Sequence, residues 1–144
     1  TAYNEVMSYL VLARKYRPRT LAEMVGQEHV VQALTNALQQ QRLHHAYLFT
    51  GTRGVGKTTV SRALAKSLNC EQGITATPCG QCAACLRIAR CGHPDVLVIE
   101  PGESGTIKID QVREAVERTA FRPFEGRRRV VHHPRSNTPA TAVR

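Results

Sequence analysis

Apolar residues recur three and four positions apart in three stretches of the chain, which is the spacing of one face of a helix. Each stretch therefore predicts an amphipathic helix that packs on a core. The apolar faces are Val30, Leu34, Ala37 and Leu38 in the first stretch, Val60, Ala63, Leu64 and Leu68 in the second, and Val112, Ala115, Val116 and Thr119 in the third. Asp110 is the predicted N-cap of the third helix, and Pro123 breaks that helix.

Short apolar runs alternate with these helices and predict strands. Residues 46–50 precede the second helix, and residues 95–100 precede the third with a continuous apolar run, as in a strand covered on both faces. Val130 and Val131 predict the opening of a third strand, but the residues after them have neither apolar periodicity nor a carboxylate. Strands separated by helices favour parallel βαβ units.

A glycine-rich sequence joins the first strand to the second helix. Residues 51–58 fit the phosphate-binding loop pattern G-x-x-x-x-G-K-[ST]. Glycines let successive N–H groups point at phosphate oxygens, and the following helix adds its positive dipole end. Lys57 supplies a charge for the β- and γ-phosphates, and the Thr58 hydroxyl can ligate Mg²⁺. The order of strand, glycine loop and helix indicates nucleotide binding rather than a chance glycine turn.

Four cysteines follow the second helix with the spacing C-x8-C-x2-C-x2-C, at Cys70, Cys79, Cys82 and Cys85. Thiolates two residues apart on a tight turn can reach one ion, and a returning cysteine closes a tetrahedral site. A four-thiolate set without an open position suits structural zinc, and the alternative is a scatter of buried or redox cysteines. Because the site is then full, Cys91 and the nearby His93 are predicted to be bystanders.

Composition excludes some classes of protein but does not indicate an activity. Apolar residues make up 42% of the 144 residues, so global disorder is not expected. The formal charge is +9, but residues 122–144 carry +5 of it, which makes net charge weak evidence for a nucleic-acid partner. An odd cysteine count argues against a disulfide framework. Without a leader or a run of about 20 apolar residues, the sequence predicts a cytoplasmic protein and no membrane partner.

The motifs together resemble the AAA+ ATPase subunits of bacterial clamp loaders, the gamma/tau family of DNA polymerase III. The resemblance covers residues 7–85. It rests on residues 12–18, 25–29 and 44–49, on the glycine-rich sequence, on residues 68–71 and on the four cysteines. It implies an α/β fold of the P-loop NTPase (AAA+) type, with a parallel sheet flanked by helices, incomplete here, and with an inserted zinc-binding module.

The same resemblance implies a division of the chain and a set of sites. Residues 1–69 form the arm, first helix, P-loop strand and P-loop helix, residues 70–91 the zinc module, and residues 92–131 the continuation of the AAA+ domain. ATP, Mg²⁺ and Zn²⁺ are the implied cofactors, with Lys57 and Thr58 as catalytic residues. The implied nucleotide contacts are Gly51, Thr52, Arg53, Gly54, Val55, Gly56, Lys57, Thr58 and Thr59, with Tyr16, Arg17, Pro18 and Val25 near the base and ribose.

The implied partners are the other subunits of a hetero-oligomeric clamp loader, the sliding clamp and primer–template DNA. Beyond about Gly92 the sequence is more similar to the delta-prime clamp-loader subunit, and many subunits of that type lack an intact P-loop. A structural, non-hydrolysing subunit is therefore the second hypothesis. A free zinc-binding adaptor with a decayed ATPase core is the third.

The end of the chain departs from the family. Relatives continue with an apolar strand that ends in an acidic pair, which holds Mg²⁺ and polarises the attacking water. Here His132 and His133 follow the valines instead. Residues 132–144 are therefore predicted to be an aberrant or disordered tail, produced by a change of reading frame, that leaves an incomplete sheet with open edges.

Overall fold

Helices, one 3₁₀ turn and short strands alternate along the computed structural model, which describes residues 12–49, 56–133 and 140–143. The helices are α1 (Leu12–Lys15), α2 (Glu28–Gln39), α3 (Lys57–Asn69), α4 (Ala83–Ala89) and α5 (Ile109–Thr119), with the 3₁₀ turn at Leu21–Glu23. The strands are β1 (Ala46–Leu48), β2 (Val96–Val98), β3 (Val130–His132) and β4 (Ala140–Val143). The predicted α/β class and all three predicted strands are confirmed.

The four strands form one sheet in the order β1, β4, β3, β2. Strands β2 and β3 are parallel, with Val96 beside Val130, whereas β4 is antiparallel to both β1 and β3. The predicted parallel sheet is therefore confirmed in part: β2, α5 and β3 form a parallel βαβ unit, and β4, which was not predicted, makes the sheet mixed. Residues 133–139 are too few for the crossover of about a dozen residues that parallel neighbours need, so β4 returns beside β3 in the opposite direction.

Strand β4 lies within the tail that was expected to be aberrant or disordered. Residues 140–142 pair with β1 on one side and residues 141–143 pair with β3 on the other, so Ala142 stands beside both Ala46 and Val131. Strand β4 thus lies between β1 and β3 in the sheet. Backbone hydrogen bonding needs no apolar alternation, which is why the sequence pattern contained no signal for this strand.

Helix α3 lies at the centre of the hydrophobic core. Leu64 and Leu68 are wholly buried, and almost every residue from Thr59 to Asn69 is buried as well. The core around them consists of Leu21, Leu34, Leu38, Val60, Ala63, Ala65, Ile88, Val96 and Val130. The predicted apolar faces of α2 and α3 therefore do form the core.

None of the helices in the described residues combines the length and the hydropathy that a membrane-spanning segment requires.

Helix α5 departs from its predicted orientation and cap. Only Ala115 of its predicted apolar face is buried, while Val112 and Val116 are exposed. The N-cap is Lys108, whose N–H donates to the side chain of Gln111 at 2.9 Å, so the prediction that Asp110 caps the helix is wrong. Asp110 lies instead in the first turn, where its charge complements the helix dipole.

A buried carboxylate organises the backbone that leads into β3. Asp95 has no exposed surface, and its oxygens accept the N–H groups of Phe124, Glu125 and Gly126 at 2.6, 2.9 and 2.6 Å. The guanidinium of Arg129 lies 3.3 Å away. Burial tends to raise the pKa of Asp95, but these donors outweigh it and hold the pKa below its ordinary value.

Asn69, at the end of α3, holds the next part of the same segment. Its Oδ1 accepts the N–H groups of Arg127 and Arg128, each at 3.0 Å. Residues 124–129, called the anchored segment below, are therefore fixed by polar contacts directly before the central strand β3. The side chain of Phe124, by contrast, is 83% exposed and contributes little to this attachment.

Replacing Gly126 with Ala should destabilise the fold by roughly 1–3 kcal/mol, because the new methyl group overpacks a filled space. A Cβ at this position would stand 2.7 Å from Asn69 Oδ1 and 3.1 Å from Asp95 Oδ2. Gly102→Ala is the matched control, since nothing lies within 4 Å of its Cβ position. Urea unfolding measures both, and equal stability of the two variants would contradict the tight approach at Gly126.

Candidate functional site

The start of α3 carries the described part of the predicted phosphate-binding loop. Gly56 precedes the helix with a φ of +92°, a left-handed conformation that favours glycine, and Lys57 is the first helical residue. Residues 50–55 lie outside the described part of the chain, so the predicted contacts of residues 51–55 stay predictions. The order of strand, glycine and helix is the one that the sequence predicted.

The first turn of α3 has the features of an anion site. Its leading N–H groups have no partner within the helix by geometry, and no acidic residue stands in that turn to offset the positive dipole end. Lys57 and Thr58 are half-buried and Thr59 is buried. Phosphate oxygens suit such a helix end, because its first amide N–H groups and the positive end of the helix dipole face the same space.

The predicted contacts to base and ribose lie on the chain before α2. Tyr16, Arg17 and Val25 are exposed, and Pro18 is half-buried. Next to Val25, the methyl group of Met24 reaches Gly56, since a Cβ built on Gly56 would stand 3.0 Å from it. The structure therefore brings the Val25 region to the end of the loop. Nucleotide binding by Tyr16, Arg17, Pro18 and Val25 stays a prediction.

The four cysteines of the predicted zinc module meet in one cluster. The sulfur atoms of Cys70, Cys79, Cys82 and Cys85 all lie within 4.8 Å of one another, and Cys70 Sγ is 3.7 Å from Cys79 Sγ. A tetrahedral zinc with bonds of about 2.3 Å places its sulfur ligands about 3.8 Å apart. The spacing between the two sulfurs agrees with that value, and the donor set fits a zinc ion.

Local backbone geometry prepares these thiols for a metal. Gly80 turns the chain with a φ of +70°, and Cys79 Sγ accepts the N–H groups of Gln81 and Cys82 at 3.4 and 3.3 Å. These bonds lower the pKa of Cys79 to about 6. Burial raises the pKa of Cys85 to about 12, so this thiol loses its proton readily only to a metal.

Helix α4 was not predicted from the sequence, and it places the last cysteine. Cys82 is its N-cap, and Cys82 Sγ accepts the N–H of Cys85 at 3.4 Å. Cys82 and Cys85 are thus one helical turn apart, and their sulfur atoms lie on the same side of α4. The helix is anchored in the core by Ile88, which packs with the residues around α3.

Cys91 and His93 lie outside the cysteine cluster, in the roles expected of bystanders. His93 is buried, its Nδ1 accepts the N–H of Asp95 at 3.1 Å, and its Nε2 lies 3.7 Å from a carboxylate oxygen of Glu125. Cys91 is exposed and accepts a hydrogen bond from the Arg62 guanidinium at 3.4 Å. Both residues therefore have polar contacts of their own.

Sequence reasoning missed the residues that join the cysteine module to the sheet. Asp95, Asn69 and Arg127 carry these contacts, and Arg127 donates through its guanidinium to the carbonyl oxygens of Cys70 and Glu71. No short-range pattern marks them, because their partners lie about 30 to 60 residues away. The one usable signal was an acidic residue at the start of an otherwise apolar strand.

Strand β3 ends at a buried histidine. His132 is 3% exposed, and burial lowers its pKa to about 4, with a further contribution from the positive charge of Arg62. The imidazole is therefore neutral near pH 7. A neutral, buried imidazole does not supply the negative charge that the family resemblance requires at the end of this strand.

The sequence is similar to known subunits of DNA polymerase III. A family model described as "DNA polymerase III, delta subunit" matches residues 26–132. The tau/gamma subunit of DNA polymerase III from Haemophilus influenzae is 50% identical over 124 residues, and the tau subunit from Escherichia coli is 52% identical over 124. The gamma/tau subunit from Mycobacterium tuberculosis is 46% identical over 121 residues.

These matches cover most of this chain but little of the relatives. They include 86% of the chain for the first two proteins and 84% for the third. They include only 18%, 19% and 21% of the relatives' own lengths. The chain thus spans about a fifth of the length of these three relatives.

The low pKa of His132 predicts an acid-sensitive fold. The folded pKa of about 4 lies below the value of about 6.5 for an unfolded chain, so this stabilisation is complete above pH 6.5 and is lost as the pH falls toward 4. Between pH 6.5 and 5 the free energy of unfolding should drop by about 1.5 kcal/mol more in the natural chain than in His132→Leu. Urea titrations at both pH values measure this.

Both chains contain the other titrating groups, including His93 and the cysteines. Their contributions to the pH dependence of the free energy of unfolding therefore cancel in the difference between the two chains. The same pH dependence in the two chains would show that His132 is not buried in its neutral form.

Proposed function

This chain belongs to the DNA polymerase III subunit family that the delta-subunit model and the tau/gamma relatives represent, and from that premise we propose that it is the nucleotide-binding part of a clamp-loader ATPase. In the assembled complex, ATP binding by several subunits opens a ring-shaped sliding clamp. Hydrolysis on primer–template DNA releases the clamp around it. The whole reaction involves the other clamp-loader subunits as partners.

One observation carries the proposal. Gly56 adopts a left-handed conformation, and α3 begins immediately after it at Lys57, without an acidic residue in the first turn. This arrangement supports an ATP site in which loop amides hold the phosphates, Lys57 contacts the β- and γ-phosphates, and Thr58 ligates Mg²⁺. Tyr16, Arg17, Pro18 and the Val25 region contact the base and ribose.

The chain by itself is proposed to bind ATP weakly and not to hydrolyse it. Phosphoryl transfer depends on charge positioned around the γ-phosphate and on a group that orients the attacking water. The end of β3 offers His132, which is buried and neutral near pH 7 because its pKa is about 4. The acidic pair that the family uses there is not present in residues 130–144.

The cysteine cluster is proposed to be a structural zinc centre. Cys70, Cys79, Cys82 and Cys85 would supply four thiolates, which leave no open position for a substrate. When bound, zinc supplies cross-linking between the end of α3 and the start of α4. Backbone N–H groups that donate to the sulfurs orient Cys79 and Cys82, and the core residue Ile88 holds α4 in place.

A delta-prime-type subunit that acts structurally without hydrolysis is the second candidate. The description of the matched family model favours it, since that model is named for a delta subunit. The intact Lys57–Thr58 pair and the relatives' tau and gamma names favour the motor subunit. Measuring ATP binding by the chain separates the two candidates.

Lys57→Ala should weaken ATP binding about ten- to a hundredfold, because a hydrogen bond from a charged group is worth about 1.5–3 kcal/mol. Calorimetric titration of the 144-residue chain with Mg²⁺ and ATP measures this. Lys108→Ala is the control, since Lys108 is exposed and lies at the start of α5. Equal affinity of the natural chain and the Lys57 variant would rule out the assigned phosphate contact.

Metal analysis of the purified chain should find about one zinc per molecule, and Cys79→Ser combined with Cys82→Ser should abolish its retention. Cys91→Ser is the matched control and should keep the metal, because Cys91 lies outside the cluster. Chelation should destabilise residues 70–91 preferentially. Metal retained by the double variant would contradict the ligand set.

A further inference from the structure

The side chain of Arg127 connects two parts of the chain that are far apart in sequence. Its guanidinium donates through Nη1 to the carbonyl oxygen of Cys70, and through Nη2 to that of Glu71 at 3.1 Å. Cys70 is wholly buried and belongs to the cysteine cluster. A residue of the anchored segment therefore holds the backbone of a proposed metal ligand.

The side chain of Asn69 makes further hydrogen bonds between the same two segments, this time to the backbone of the anchored segment. Its Oδ1 accepts the N–H of Arg127 and that of Arg128, each at 3.0 Å. A side chain of each segment is thus hydrogen-bonded to the backbone of the other, between residues 69–71 and residues 127–128. Such reciprocal bonding restricts the position of Cys70, which lies between Asn69 and Glu71.

The anchored segment depends on these polar contacts for its order. Asp95 holds its first three N–H groups, and Arg129 donates to Asp95 and to the carbonyl oxygens of Arg118 and Arg122. Its aromatic residue, Phe124, is exposed. With little apolar burial of its own, the segment is held by polar contacts: those of Asp95, those with Asn69 Oδ1 and the Cys70 and Glu71 carbonyls, and the ion pair of Glu125 with Arg87.

Cys70 is the cysteine whose position depends most on this attachment. The other three cysteines lie within seven residues of one another and are set by the local turn and α4, whereas Cys70 comes from the end of α3. Its sulfur stands 3.7 Å from that of Cys79. A small shift of the 69–71 backbone would take it out of reach of a shared ion.

We propose that Arg127 is a positioning residue of the metal centre, and that metal occupancy and the order of the anchored segment are coupled. This inference rests on the proposed zinc centre. Coupling between two sites is reciprocal, so a metal that fixes Cys70 also fixes residues 124–128, and loosening Arg127 weakens the hold on the metal. The metal centre thereby stabilises the backbone that leads into the central strand β3.

The first experiment compares zinc release from Arg127→Met with release from Arg128→Met in the full chain. Arg128 is the matched control, because it is an exposed neighbour whose side chain makes no contact with Cys70 or Glu71 in the described residues. A chromophoric chelator in excess reports the release rate. Arg127→Met should release zinc about tenfold faster than the natural chain, since loss of an outer partner typically costs 10- to 100-fold in metal affinity.

Arg128→Met should match the natural chain. Equal release rates from the two variants would overturn the coupling while leaving the zinc centre intact. A natural chain that retains no zinc would overturn the zinc centre and this inference with it, so the two failures are distinguishable.

The second experiment removes the metal and measures the order of the anchored segment, and it needs no variant. Amide hydrogen exchange of the natural chain is followed with zinc bound and after chelation. The amides of residues 124–128 should lose protection together with residues 70–85, while the Leu34–Leu38 part of α2 keeps it. Unchanged protection of residues 124–128 after the cysteine module has opened would overturn the proposal.

Discussion

Burial of α3 on nearly every side is the constraint on which the rest of the structure depends. Leu64 and Leu68 have no exposed surface, and α2, α4 and the sheet surround them with apolar side chains. Close packing of this kind leaves the helix no freedom to rotate or slide. Both candidate sites are built at its ends, with Lys57 at the first turn and Cys70 just past the last.

The two ends of α3 use opposite kinds of chemistry. At the amino end, a left-handed glycine and the positive end of the helix dipole offer positive potential to an anion. At the other end, Asn69 and Cys70 face the cysteine module and the anchored segment. Because one buried helix carries both ends, Lys57 and Cys70 keep a fixed separation along its axis.

Polar groups attach the second half of the chain to this helix where apolar packing is sparse. Burying the charge of Asp95 is unfavourable in itself, and three N–H groups and the Arg129 guanidinium offset that cost. Removing one partner of such a network leaves a buried charge without compensation. The anchored segment is therefore defined in position, although α5 and Phe124 beside it expose apolar side chains.

Local patterns in the sequence determined the helices α2 and α3, their buried faces, the three predicted strands and the four-cysteine set. These features follow from spacings of a few residues, which the backbone geometry of a helix, strand or turn converts directly into positions. Only the tertiary structure decided the antiparallel place of β4, the exposed valines of α5 and the bonds of Asp95, Asn69 and Arg127. Those depend on which distant segments meet, as Arg127 and Cys70 do, and no short-range spacing encodes a contact between residues so far apart in the chain.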